Sequence, residues 1–123
     1  MKRATARQYL SEIHRYAGAA SGRLLEIGCG DGDFLVEAEA AGYHVTGVEY
    51  APAACEQARA RLTRGEIICG ELEKAALEGA QFDLCVLSDV IEHVRDPLAF
   101  LREIHRLLKP GGGIFIEIGR AHV

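Results

Sequence analysis

At 123 residues, 49% hydrophobic and 26% charged, the chain has room for one domain and a modest core. Its 18 acidic against 14 basic side chains leave a net charge of −4 and no basic face of the kind a phosphate backbone requires, which argues against a nucleic-acid partner. No apolar run approaches the roughly 20 residues that span a bilayer, and Met1-Lys2-Arg3-Ala4 leads into a polar helix rather than a signal sequence. No membrane association is expected, and the expected location is the cytoplasm.

Between Ala4 and Ala17, the side chains of Ala6, Leu10, Ile13 and Ala17 share one helical face, with Arg7, Glu12 and Arg15 elsewhere. That predicts a leading helix within residues 1–22, packed across a sheet or over a ligand, with Gly18 to Gly22 as a small-residue turn. Leu24, Leu25 and Ile27 then form a short apolar run suited to a strand covered on both faces. The run ends in Gly28-Cys29-Gly30-Asp31-Gly32, where glycine permits positive φ and leaves no Cβ between backbone and ligand. From Asp33 onward Phe34, Leu35, Ala38 and Ala41 fall at helical spacing, and Gly42 terminates the pattern. A helix N-terminus therefore faces whatever sits over the glycines, ready to receive an anion.

The spacing is not that of a dinucleotide fingerprint, which needs glycine at the sixth place, where this chain has Asp33. Glu26, just before the first glycine, would repel a pyrophosphate and suits a ligand with a cationic part. Tyr43 to Val48 reads as a second strand. Glu49 ends it about 20 residues past the first glycine, the separation at which a carboxylate can accept hydrogen bonds from ribose hydroxyls.

Pro52 opens a helix that runs to Leu62, and Glu66-Ile67-Ile68-Cys69 is a third strand ending in Gly70-Glu71-Leu72. That end offers an acidic acceptor and an apolar side chain near an aromatic ring such as adenine. Phe82 to Leu87 is a fourth strand, followed by the polar cluster Ser88, Asp89, Glu92 and His93 at the carboxyl edge, where open α/β sheets bind ligands. Asp96 and Pro97 start a helix with Leu98, Leu101, Ile104 and Leu108 on one stripe, Lys109 to Gly113 stops it, and Ile114 to Ile118 is a fifth strand. The clusters Arg59, Arg61, Arg64 and Arg102, Arg106, Lys109 lie near helix C-termini, where cations complement the dipole. The 4 cysteines, Cys29, Cys55, Cys69 and Cys85, have no C-x-x-C spacing and are expected as reduced, mostly buried thiols. The fold class that follows is α/β: a doubly wound parallel sheet of about five strands alternating with helices on both faces.

The residues from about Arg23 to Ile118 resemble the class I S-adenosylmethionine-dependent methyltransferases, particularly small-molecule members like those of ubiquinone biosynthesis, with a Rossmann-like fold. The carriers are Glu26-Ile27-Gly28-Cys29-Gly30-Asp31-Gly32, Val48-Glu49, Gly70-Glu71-Leu72, Phe82-Asp83 through Glu92-His93, and Leu108-Lys109-Pro110-Gly111-Gly112. The resemblance implies one S-adenosylmethionine-binding domain over residues 23–123. In it Glu26, Gly28, Cys29 and Gly30 line the methionine end of the cofactor and Glu49 takes the ribose hydroxyls. Tyr50 lies beside adenine, Glu71 and Leu72 contact it, and Ser88 lies near the sulfonium.

For a hydroxyl acceptor, His93 is the expected general base, with Asp89 orienting it or replacing it. Asp89-x-x-Glu92-His93 also resembles a divalent-ion cluster of some quinone-pathway and small-RNA methyltransferases, but those carry Glu where Asp89 stands, and no metal is assigned. The family's fold continues past the fifth strand with a helix and an antiparallel pair of strands, and this chain stops first. The expectation is therefore a truncated form or the cofactor half of a larger protein, its open fifth-strand edge covered by a second copy in a homodimer. Two functions follow. One is methyl transfer to a small-molecule acceptor; the other is a cofactor-binding module, inactive without a partner that completes the acceptor site.

Overall fold

Alternation along β1 (Gly22–Ile27) sends Leu24 into one core and Leu25 and Ile27 into another, so the strand is covered on both sides. The computed structural model describes residues 3–17, 22–88 and 94–117. Beside β1 lie β2 (Tyr43–Glu49), β3 (Glu66–Cys69), β4 (Phe82–Ser88) and β5 (Leu108–Glu117). They form one sheet in the order β3-β2-β1-β4-β5, every neighbouring pair parallel.

The helices α1 (Arg3–Ala17), α2 (Asp33–Ala40) and α3 (Pro52–Arg61) cover one face. The periodicity singles out the buried Ala6, Leu10 and Ile13 of α1 and Phe34, Leu35 and Ala38 of α2; from α3 the core takes Cys55 and Ala58. Tyr9 and Phe34 meet edge to face with ring centroids 5.7 Å apart, which locks α1 to α2. On the other face α4 (Pro97–Leu107) buries Phe100, Ile104 and Leu107 against Leu25, Cys85 and Leu87. Its start is fixed by Asp96, whose carboxylate accepts the Ala99 N–H at 3.1 Å, and by Pro97 in the first turn.

Two expectations are corrected. The connection from β3 to β4 carries only a 3-10 turn, Leu72–Lys74, so the strict alternation of strand and helix fails there. Its backbone is punctuated by positive φ at Gly70, Ala76 and Ala80, which no α-helix accommodates. The second correction concerns β5, which begins at Leu108 rather than Ile114. Leu108 pairs with Phe82 and Gly113 with Leu84, so Lys109 to Gly112 of β5 stand opposite Asp83 alone in a bulge. Gly112 is required at that bulge, because a Cβ there would sit 2.9 Å from the Lys109 carbonyl.

The chain runs outward from β1 to β3 and then crosses back to β4, so the reversal of strand order falls between β1 and β4. In doubly wound sheets the crevice at such a reversal, beyond the carboxyl ends of the strands, is where ligands bind. The glycine turn after β1 lies at that place.

Candidate cofactor site

The turn after β1 is held by its neighbour strand. Gly28 and Cys29 both donate to the Val48 carbonyl, at 2.8 and 3.3 Å, and Gly32 donates to the Cys29 carbonyl at 3.1 Å. Gly30, at φ +57, donates its N–H to Glu49 Oε1 at 2.8 Å. The turn's own N–H groups are thus largely engaged within the protein. The anion-facing position passes to the first turn of α2, whose N-cap is Gly32 and which no side chain caps.

The glycines divide their tasks. A Cβ on Gly30 would meet nothing within 4 Å, so this backbone borders open space. A Cβ on Gly32 would lie 3.1 Å from Ala58 Cβ, so this glycine serves the approach of α3. Cys29 is 6% exposed and its side chain turns into the first core, leaving only its backbone at the turn. Burial, reinforced by Glu26 and Glu49, raises its thiol far above the ordinary range, so it is an inert packing group.

Two carboxylates frame the turn. Glu49 Oε2 accepts the Ala51 N–H at 2.8 Å while Oε1 holds Gly30, so the head group is fixed yet keeps acceptor capacity for hydroxyls. Glu26 is 2% exposed, and its Oε1 has no hydrogen-bond partner among the described residues. Burial pushes its carboxyl up to about 8; the amino-terminal charge pulls the other way, and Glu49 and Asp33 add to the rise. Its register partner on β2 is Gly47. A Cβ there would lie 2.6 Å from Leu35 Cδ1, 2.7 Å from Cys29 Sγ and 2.9 Å from Ile67 Cδ1. Gly47 is a residue that the reading of the sequence passed over, although glycine inside a strand signals close approach.

Arg61 also proves more than a solvated helix end. It donates to Asp33 Oδ1 at 2.7 Å and to the Asp31 carbonyl at 3.1 Å, tying α3 to the turn and to the start of α2. Glu39 clamps the α3–β3 loop by accepting the N–H groups of Thr63, Arg64 and Gly65 at 2.7 to 2.8 Å. Burial works against its charge, but the three donors win and hold it below the usual carboxylate range.

Tyr50 follows Glu49 with 72% of its surface exposed. Glu71 is exposed and pairs with Lys74 at 3.4 Å, while Leu72 is only 4% exposed and packs in the second core with Val48 and Leu87. Leu72 therefore offers an apolar floor rather than a free side chain. Ser88 ends β4 opposite Glu117, at the same edge as the turn. Asp89, Glu92 and His93 lie outside the described residues, as do Ile118 and the last five residues. Among the described residues no group of three or more His, Cys, Asp or Glu is placed to hold a metal. No helix among them is long and apolar enough to cross a membrane. A cavity of about 560 Å3 opens at the opposite, amino edge of the strands, beside Arg23, Tyr43 and His44, and is not part of this arrangement.

The donor set fits a nucleoside that carries a cation. An orphaned buried carboxylate oxygen, a glycine backbone beside open space, and a fixed carboxylate about 20 residues on answer an ammonium or sulfonium and a ribose.

Residues 25–116 match the family model described as a methyltransferase domain, which covers about three quarters of the chain. The ubiquinone biosynthesis O-methyltransferase of Aromatoleum aromaticum is 36% identical over 113 residues, 88% of this chain and 48% of that protein. The mitochondrial enzyme of the same name from Schizosaccharomyces pombe is 31% identical over 120 residues, 92% of this chain and 44% of that one. The chain thus spans about half the length of the curated relatives it matches. Among solved structures, the PH0226 protein of Pyrococcus horikoshii superposes with a TM-score of 0.80 at 28% identity, over 93% of this chain and 56% of that one. The phosphoethanolamine N-methyltransferase 2 of Haemonchus contortus, solved with S-adenosyl-L-methionine, gives 0.81 at 27% identity over 91% and 28%. With the family model matched over residues 25–116 and these relatives and folds beside it, the chain belongs to the class I S-adenosylmethionine-dependent methyltransferases.

Proposed function

We propose that this chain binds S-adenosylmethionine at the carboxyl edge of β1 and β2 and transfers its methyl group to a small-molecule acceptor. The observation that carries the reading is the pairing of a glycine turn with Glu49, beside Glu26, whose buried Oε1 has no hydrogen-bond partner among the described residues. Glu49 takes the ribose hydroxyls, Glu26 faces the cationic methionine end with the Gly28 to Gly30 backbone, and Tyr50, Glu71 and Leu72 form the adenine wall. When bound, the cofactor supplies an activated methyl on a sulfonium. The protein's part is to align the acceptor in line with that methyl and to exclude water. His93, assisted by Asp89, takes the proton of a hydroxyl acceptor, and Ser88 borders the reacting centre.

Calorimetry with S-adenosylmethionine and S-adenosylhomocysteine, followed by a methyl-release assay on a metabolite panel, tests this. Micromolar binding lost in both Gly30→Val and Glu49→Ala supports the site. Unchanged affinity in both variants overturns it, and binding without turnover on every acceptor marks a cofactor-binding module instead.

The remaining readings concern setting. Ile114 and Ile116 on β5 are 39% and 42% exposed and Leu98 on α4 58%, an apolar edge that a second copy would cover. A clean monomer by sizing overturns that dimer. Four free cysteines fit a cytoplasmic setting, and the net charge of −4 gives no support to a nucleic-acid partner.

A further inference from the structure

Cys55 and Cys69 stand apart from the other cysteines. Cys55, fully buried on α3, donates its thiol proton to the Glu49 carbonyl at 3.1 Å. Glu49 is the register partner of Cys69 on β3, so both thiols converge on the same strand end. Alternation along β3 places Cys69 on the side of Ile67, whose core also contains Cys55. Cys69 is solvent-exposed whereas Cys29, Cys55 and Cys85 are buried. One thiol is open to reagents, and a second, shielded thiol meets the same strand end from the same side of the sheet.

We propose that Cys55 and Cys69 form a reversible disulfide under peroxide, and that closing it alters the strand end that carries the Glu49 carboxylate. Hydrogen peroxide oxidises the accessible Cys69 thiol to a sulfenic acid, with one water released. The Cys55 sulfur then attacks the Cys69 sulfur: the S–S bond forms, the S–O bond breaks, and the oxygen leaves with the Cys55 proton as a second water. The two thiols supply the two electrons that reduce the peroxide, and a dithiol reductant reverses the change. Burial and the neighbouring Cys69 push the Cys55 thiol up to about 11, so it is not the thiol that meets the oxidant first.

Closure has a structural consequence, since a disulfide carries no S–H. The Glu49 carbonyl loses the Cys55 donor and keeps only the Gly70 N–H, at 2.8 Å. Drawing the sulfurs together to about 2 Å also pulls the end of β3 toward α3. The thiol chemistry stands apart from the functional reading; only its effect on a ligand rests on that reading.

The test treats the 123-residue chain with hydrogen peroxide, then digests it without reduction for peptide mass analysis. The expected product is a Cys55–Cys69 cross-link with two thiols left to titrate, restored to four by dithiothreitol. In Cys55→Ser, Cys69 should stop at a sulfenic acid that a dimedone probe traps; in Cys69→Ser, Cys55 should stay reduced. Cross-links between other cysteines, or Cys69 passing to sulfinic acid in the parent chain, overturn the pairing. S-adenosylhomocysteine titrated into reduced and oxidised chain should bind about fivefold more weakly after closure, the worth of one net hydrogen bond. Equal affinities overturn the link to the Glu49 strand end. No binding in the reduced chain overturns the proposed function and leaves the cross-link result standing.

Discussion

Glu49 Oε1 accepts the Gly30 N–H at 2.8 Å, so the last residue of one strand holds the turn that follows its neighbour. The contact spans 19 residues of sequence and joins the two halves of the site. The carboxylate proposed to take the ribose hydroxyls is thereby oriented before any ligand arrives, which lowers the cost of ordering it on binding.

Glu49→Gln should keep the fold but weaken the site. The amide retains one oxygen acceptor and loses the charge that strengthens its bonds to Gly30 and Ala51. Calorimetry should read a loss of about 10- to 100-fold in S-adenosylhomocysteine affinity, the range for hydrogen bonds to a charged group. The melting temperature should fall by only a few degrees.

The glycines should separate binding from folding. Gly47→Ala puts a methyl against Leu35, Cys29 and Ile67 and should destabilise by about 1–3 kcal/mol, read from urea midpoints. Gly30→Ala meets no atom and carries only the left-handed strain of about 1–2 kcal/mol, so it should fold while its methyl intrudes on the ligand space. Its signature is lost affinity with modestly reduced stability.

Glu26 sets a pH dependence with a definite sign. Its carboxyl is held up to about 8 in the folded chain by burial, so in the window from about 4.5 to 8 the unfolded chain ionises it and the folded chain does not. Folded protein then binds more protons, and stability falls as pH rises through that window, by up to roughly 5 kcal/mol in total. Glu26→Gln should flatten that slope and melt above wild type at pH 8 but not at pH 5. Binding of a cationic ligand should release a proton near pH 7, read by calorimetry in buffers of different ionisation enthalpy.

His93→Gln should leave cofactor affinity unchanged and lower kcat on a hydroxyl acceptor by about 100-fold or more, with loss of the acidic limb of the pH–rate profile. Equal kcat in the variant would assign the proton to another group.

Much of the fold was legible because its signals are local. The apolar stripe of α1, the Asp96-Pro97 start, and the two-sided apolar runs of β1 and β4 each reside in a few consecutive residues, whereas on α4 the buried face is Phe100, Ile104 and Leu107, with Leu98 of the expected stripe exposed and Leu108 belonging to β5. Where positive φ broke the chain between β3 and β4, and where β5 bulged past Phe82, the pattern misled, because turn geometry at Ala76 and Ala80 leaves no trace in composition. The site was legible as a set of residue types. The engagement of the turn's N–H groups by Val48 and Glu49 was not.

By itself the sequence determined the order of strands and helices, the glycine turn, and the carboxylates on either side of it, since these follow from periodicity and spacing along the chain. Only the tertiary structure decided what each residue does there: that Gly32 yields to Ala58, that Gly47 makes room for Cys29, that Arg61 ties α3 to the turn, and that Glu26 lies buried with an oxygen unmatched. Those roles depend on atoms brought together from distant segments. Packing and desolvation act through space, and no local pattern encodes them.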